Sequence, residues 1–387
     1  MIKKEAIKLV SIVGARPQFI KMAPFVKAVN KFGGEFIHRV IHTGQHYDYN
    51  MSRVFFEELG LAEPEYHLNV GSGGHGRQTG QMLEKTEQAL NSEKPDWVIV
   101  YGDTNSTLAG ALAAAKAGLL SAHIEAGLRS YNRNMPEETN RVLTDHCSDV
   151  LFCPTSNSVR NLRKEGFTNI AARGELISDS GDGIRPPVEF PIVVNTGDIM
   201  YDAFLLCSDA ARKRSVILEK LKLEKGSYCL ATIHRAENTD NEARLRNILE
   251  ALSSIGRDTR VVFPAHPRTL KTMETAGLKR ETYAELLFIE PVGYYDMLLL
   301  EKNAYKILTD SGGVQKEAFF SRVPCVTLRD ETEWTETVAS GWNTVAGTDK
   351  ENILDAFYAA GPGEAITEYG SGGASLKILQ TLKDLTV

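Results

Sequence analysis

Cysteine is scarce in this chain, and no pattern pairs it. Cys147, Cys153, Cys207, Cys229 and Cys325 show no C-x-x-C spacing, and an odd count makes a poor disulfide framework, so reduced thiols are expected. Long apolar runs are missing too. No stretch of 18 apolar residues occurs, and MIKKEAIKLVSIVG at the amino end has neither an extended apolar region nor a small-residue cleavage site. The expectation is a cytoplasmic protein that neither spans a membrane nor is exported. No block of Lys or Arg stands out, and the formal net charge of -6 removes the electrostatic case for a nucleic-acid partner. An anionic ligand must therefore be held by local groups. Heptads and short-period repeats are likewise absent.

What the chain does have is material for two cores, with 387 residues of which 42% are hydrophobic and 24% charged. Short apolar runs alternate with amphipathic stretches: IKLVSIV, EFIHRVI, DWVIVYG and DVLFCPT in the first half, then YCLATI, RVVFPA, AYKILTD and PCVTLRD in the second. This rhythm predicts an α/β chain with two Rossmann-like, doubly wound domains facing a cleft. The stretch ARGELISDSGDGIRPPVEFP has no clean periodicity and reads as a linker or insertion. Domains are thus expected over 1–185 and 186–370, followed by a terminal segment 371–387.

Three local motifs mislead. GSGGHG (Gly71 to Gly76) matches the dinucleotide fingerprint G-x-G-x-x-G, but it follows YHLNV, which is too polar for a buried strand, whereas the first strand ends in GARPQ. It reads as a glycine loop, and no cofactor is expected. His42 and His46 have helical metal spacing but sit in loop-like IHTGQHYD with no third ligand, and HIE at His123 lacks the P-C-x-x-C of a zinc deaminase. No metal site is expected.

The chemistry concentrates at strand ends. AYKILTD runs into DSGGVQKEAFF, so Ser311, Gly312 and Gly313 form a helix amino end suited to a phosphate, and Glu317 one turn on is placed for ribose hydroxyls. Arg16 in GARPQFIK stands at the junction of the first strand and its helix, with Lys21 about one turn further; together they read as a diphosphate clamp. Asp103 ends DWVIVYG, Glu125 follows the short strand SAHI, and Glu137 follows Pro136 at a helix start. Carboxylates grouped at one sheet edge can be driven apart in pKa and supply an acid and a base. His234 in ATIHRAEN is expected at the same cleft; His266 in FPAHPRT reads as structural.

GARPQFIK, YGDTNST, HIEAGLRS, PEETNR, IHRAEN and LTDSGGVQKEA occur in this order on one chain. In these motifs the protein resembles the non-hydrolysing UDP-N-acetylglucosamine 2-epimerases over nearly its whole length. The resemblance implies a GT-B-like fold whose last helix, here LKILQTLKDL, packs back on the first domain. It also implies a UDP-sugar substrate, a homodimer, and a role in supplying polysaccharide precursors. Asp103, Glu125 and Glu137 then fall on the catalytic acids and His234 near the diphosphate. Arg16 and Lys21 match the basic pair, Ser311 to Gly313 the phosphate loop, and Glu317 the ribose ligand. The departures GARPQ, IHRAE and TEWTE, and a span from Glu125 to Glu137 shortened by two residues, resemble the branch acting on UDP-2,3-diacetamido-2,3-dideoxyglucuronate. An allosteric Q-H-R/K motif is only partly present, since Tyr47 follows Gln45 and His46 and Arg77 is a loose match for its arginine, so that regulation is expected to be weakened. A hydrolysing epimerase and a GT-B glycosyltransferase remain the rival readings.

Overall fold

The structure, a computed structural model, describes residues 6–45, 56–171, 190–359, 361 and 367–386. The chain forms two compact units, Met1–Leu205 with Thr367–Val387, and Leu206–Ile366. The strands of the first are β1 (Ile7–Val13), β2 (Phe36–His42), β3 (Tyr66–His67), β4 (Trp97–Tyr101), β5 (Ser121–Ile124), β6 (Val150–Cys153), β7 (Ile170–Ala171) and β8 (Ile192–Asn195). They lie in the order β3-β2-β1-β4-β5-β6-β8-β7, with every pairing parallel. All five residues of β4 and all four of β5 are buried, as strands covered on both faces must be.

The second unit repeats the scheme with β9 (Tyr228–Thr232), β10 (Arg260–Pro264), β11 (Leu286–Ile289), β12 (Lys306–Thr309), β13 (Cys325–Thr327) and β14 (Asn343–Val345). Its order is β11-β10-β9-β12-β13-β14, again parallel. In each unit the winding reverses between two central strands, β1 and β4 in the first and β9 and β12 in the second. Loops leave such a switch point in opposite directions, and the crevice outside the carboxyl ends is where open α/β sheets bind ligands.

Composition explains how closely the layers approach. In the helix Asn105–Lys116 the sheet-facing residues Ala111, Ala113 and Ala114 are fully buried and join Val10, Ile12, Val98 and Val100 in one core. Small side chains bring this helix down onto β1 and β4 and set its first residues at the sheet's carboxyl edge.

The division between units falls after Leu205 rather than near 185. The reason is β8, which pairs with β6 from Val150↔Ile192 to Cys153↔Asn195 and so belongs to the first sheet. The final helix, Ala374–Leu385, lies against the helix Arg16–Lys31. Asp202 holds its start, accepting from Gly373 N at 2.7 Å, Ser375 N at 2.8 Å and Ser375 Oγ at 2.6 Å. Trp97 Nε1 donates to Thr386 Oγ1 at 2.7 Å near its end. The stretch ARGELISDSGDGIRPPVEFP lies outside the described residues up to 189. Among the described residues, no helix is long and apolar enough to cross a membrane.

Candidate active site

β1 ends at Val13, and the turn Gly14–Ala15 feeds the helix Arg16–Lys31, so Arg16 stands at the first unit's switch point. Gln18, fully buried, fixes this turn. Its Oε1 accepts from Gly14 N at 2.8 Å and Ala15 N at 3.0 Å, while its Nε2 donates to Tyr101 O and Thr107 Oγ1, both at 3.1 Å. All four groups are met by an amide; a carboxylate would have no hydrogen to give the Tyr101 carbonyl.

One turn beyond Gln18, the Lys21 ammonium pairs with Glu125 Oε2, both side chains being buried. The sequence reading set Lys21 against a diphosphate, and the structure gives it this carboxylate partner. Glu125 follows β5 with φ +76, a left-handed conformation costly for a residue with a Cβ. Room for the pair comes from Gly102 at the end of β4, itself at φ +66. A Cβ there would stand 2.9 Å from Lys21 Nζ and 3.1 Å from Glu125 Oε2.

Asp103, the next residue, pairs through Oδ2 with Arg141 Nη2. Arg141 is almost completely buried and turns its other arm to Glu138 Oε2 at 2.9 Å. Asn140 Nδ2 donates to Asp103 O at 3.0 Å. The helix Pro136–Cys147 therefore packs its first two turns on the Asp103 loop, and Glu137, half-buried, heads the same helix. Asp103 and Glu125 thus share one sheet edge, each with a cation of its own. Thr104 rather than Asp103 caps the following helix, accepting from Thr107 N.

The second unit assembles its edge around Asp310, fully buried at the end of β12. Asp310 accepts from His234 N at 3.1 Å, Arg235 N at 3.0 Å and Asn238 Nδ2 at 3.1 Å, and it lies 3.3 Å from His234 Nδ1. His234 is thereby anchored with its ring partly exposed. Ser311 caps the helix Gly312–Ser321, its Oγ accepting from Val314 N, so Gly312 and Gly313 are the first helical residues. A Cβ on Gly312 would stand 2.6 Å from Glu333 Oε1 and 3.2 Å from Trp334 Nε1. This glycine therefore also admits the TEWTE segment, whose Trp334 ring lies 4.0 Å from Lys316 Nζ in a cation–π contact.

Glu317 is buried one turn into this helix, and its Oε1 accepts from Tyr294 OH at 2.8 Å. Burial and the Glu317 charge push the Tyr294 phenol well above its ordinary range, so it stays a donor. If Glu317 meets the ribose as the resemblance implies, Tyr294→Phe is expected to leave the fold intact and to weaken UDP binding about tenfold, the worth of a hydrogen bond to a charged group. Isothermal titration with UDP checks this, and unchanged affinity would separate Glu317 from the nucleotide.

Of the remaining sequence motifs, the glycine loop leads from the two-residue β3 into the helix His75–Glu93, so no buried strand feeds it. His42 is buried and stacks on Phe19 with ring centroids 5.2 Å apart, while His46 and Tyr47 lie outside the described residues. Gln45 Oε1 accepts from Ser106 Oγ at 2.7 Å, and Arg77 is exposed. Sequence reasoning passed over Arg141, Gln18, Asp310 and Tyr294. Arg141 had a signal, four residues after Glu137 and so on the same helix face, as did Asp310, directly ahead of the Ser-Gly-Gly turn.

The family model described as UDP-N-acetylglucosamine 2-epimerase matches residues 28–383. The chain belongs to this family. Among similar UDP-N-acetylglucosamine 2-epimerase family proteins, one named a UDP-N-acetylglucosamine 2-epimerase homolog from Methanococcus maripaludis is 50% identical over 384 residues, 98% of this chain and 100% of the relative. A UDP-2,3-diacetamido-2,3-dideoxy-D-glucuronate 2-epimerase from Pseudomonas aeruginosa is 45% identical with the same coverage. The solved structure of Methanocaldococcus jannaschii UDP-GlcNAc 2-epimerase in complex with UDP-GlcNAc and UDP superposes with a TM-score of 0.85 at 42% identity, covering 98% of this chain and 100% of that one. The two Rossmann-like domains are accordingly of the GT-B-like kind that the 2-epimerases share.

Proposed function

We propose that this chain is a non-hydrolysing UDP-2-acetamido-sugar 2-epimerase that interconverts UDP-GlcNAc and UDP-ManNAc. The C2 hydrogen of such a sugar lies beside an acetal carbon, so its removal leaves no stabilised anion. The reaction therefore requires UDP to leave C1 with the bonding electron pair while a base takes the C2 proton, giving a glycal. Reprotonation of C2 on the opposite face and return of UDP to C1 complete the inversion, with no net oxidation and no water consumed.

The observation that carries this reading is Glu125: a buried carboxylate in a strained backbone conformation, paired with Lys21 at the carboxyl edge of the first sheet. Backbone strain of this kind concentrates at functional sites. The ion pair keeps a carboxylate, the form a base requires, in a dry place. Glu137 is the partner assigned to the second C2 proton transfer. Asp103, bound to Arg141, sets charge and geometry beside them. In the second unit the Ser311–Gly313 helix end takes the diphosphate, Glu317 the ribose and His234 the phosphate side. Arg16 and Lys21 are the cations proposed for the first unit's own sheet edge.

TEWTE around Trp334, one of the departures noted in the sequence, and the 45% identical relative favour a second sugar, UDP-2,3-diacetamido-2,3-dideoxyglucuronate. Incubation with each UDP-sugar in D2O, followed by proton NMR, decides between them. The expected result is loss of the C2 proton signal with appearance of the 2-epimer and no lasting free UDP. Accumulating free UDP would indicate a hydrolysing enzyme, and exchange on neither sugar would overturn the epimerase reading.

A further inference from the structure

We propose that His123 is a positioning residue for the Glu125–Lys21 pair, holding in place the backbone carbonyl of Gly102. The inference rests on the epimerase reading for what is being positioned. His123 lies on β5 with no solvent exposure, and both ring nitrogens are engaged, Nδ1 with Asp145 Oδ1 at 2.7 Å and Nε2 with Gly102 O at 2.7 Å. A carbonyl oxygen can only accept, so Nε2 carries a hydrogen.

The other end is equally determined. Asp145 is fully buried and also faces Arg129 Nη1 at 2.7 Å and Gly127 N at 3.2 Å. Burial alone would raise its carboxyl, but His123 and Arg129 hold it below the ordinary carboxylate range. Facing a carboxylate, Nδ1 donates as well, and the ring gives a hydrogen at both ends. Arg129 continues to Glu165 with bonds of 2.7 and 2.6 Å.

What this network grips is the backbone on both sides of Glu125. Its His123 end fixes Gly102, the residue whose missing Cβ makes room for Lys21 Nζ and Glu125 Oε2, and Gly102 N in turn donates to Ile124 O at 3.0 Å. Its Asp145 end fixes Gly127, two residues past Glu125. Left-handed conformations such as those at Gly102 and Glu125 persist where the surroundings over-determine them. Burying Asp145 with Arg129 and His123 is no efficient route to stability, since apolar replacements of buried ion pairs are often neutral or better. Placement of the carboxylate accounts for them.

Two variants separate the ring's two ends. His123→Gln can set an amide N–H where Nε2 stood and keep the bond to Gly102 O, whereas His123→Asn reaches only toward Asp145. The expected result is a fall in kcat for C2 exchange of about 10²-fold in His123→Asn, the scale of a 1 Å misplacement, with KM within about twofold. His123→Gln should stay within about fivefold of the wild type. Equal losses in the two variants, or a His123→Asn enzyme with wild-type kcat, would overturn the proposal. A second measurement needs no variant. In ¹⁵N-histidine-labelled wild-type protein, one slowly exchanging ring must show hydrogens on both nitrogens, and its absence would equally overturn the proposal. A wild type that exchanges C2 hydrogen on neither sugar, yet shows this ring, would instead defeat the epimerase reading alone.

Discussion

Glu125→Gln is expected to slow exchange of the substrate C2 hydrogen about 10²–10⁴-fold, the range that a positioned general base contributes. The amide matches the carboxylate in shape but takes no proton at neutral pH. Its second effect is structural. The Lys21 ammonium, buried beside Gly102, is left without its countercharge, and breaking a buried pair from one side costs about 3–5 kcal/mol. Stability loss and chemical loss must therefore be told apart. The double variant Lys21→Met with Glu125→Gln removes both charges and should recover most of the stability in urea melts while remaining inactive in D2O exchange. Near-wild-type exchange in the single variant would remove Glu125 from the proton transfer.

The second large effect is expected at Asp310. Its carboxylate joins the ends of β9 and β12 by accepting from His234 N, Arg235 N and Asn238 Nδ2. Asp310→Ala leaves these donors facing a void, at about 1–3 kcal/mol for each that finds no other acceptor, so the unfolding free energy should drop by about 3 kcal/mol or more. The loop bearing His234 then loses its anchor next to the Ser311 helix end. UDP affinity is expected to fall at least tenfold by calorimetry under conditions where the variant is folded. Unchanged affinity would show that the second switch point does not hold the nucleotide.

Both predictions concern contacts of unequal legibility. The strands around the two switch points could be read because parallel strands covered on both faces are continuous apolar runs, as WVIVY and YCLAT are. The glycine, serine and acidic residues that end them could be read for the same reason, since the strand's end fixes their place. Two-residue strands such as Ile170–Ala171 carry no periodicity, and β8 lies just past a stretch without pattern, which moved the apparent boundary toward 185. The partners of the site residues were hidden for another reason. Lys21 and Glu125 are 104 positions apart, Asp103 and Arg141 38, and Tyr294 and Glu317 23. No local pattern encodes such meetings, because they depend on the order in which strands are laid into the sheet. His123 shows the same limit. Its H-x-E spacing gives no hint of them, and only the fold reveals the Asp145 and Gly102 groups on either side of its ring.

The closing helix carries a consequence for how the polypeptide is made. Ile378, Leu379 and Leu382 are buried, and the helix containing them lies on the helix that follows the first strand. The first unit is thus written in two instalments, with the whole of the second unit between them. During synthesis Leu206–Ile366 is available as one uninterrupted stretch before the last piece of its neighbour has left the ribosome. The first unit, though begun earlier, must leave uncovered the part of its opening helix that Ala374–Leu385 packs on until those residues are made. The earlier-started unit is in this sense the later-finished one.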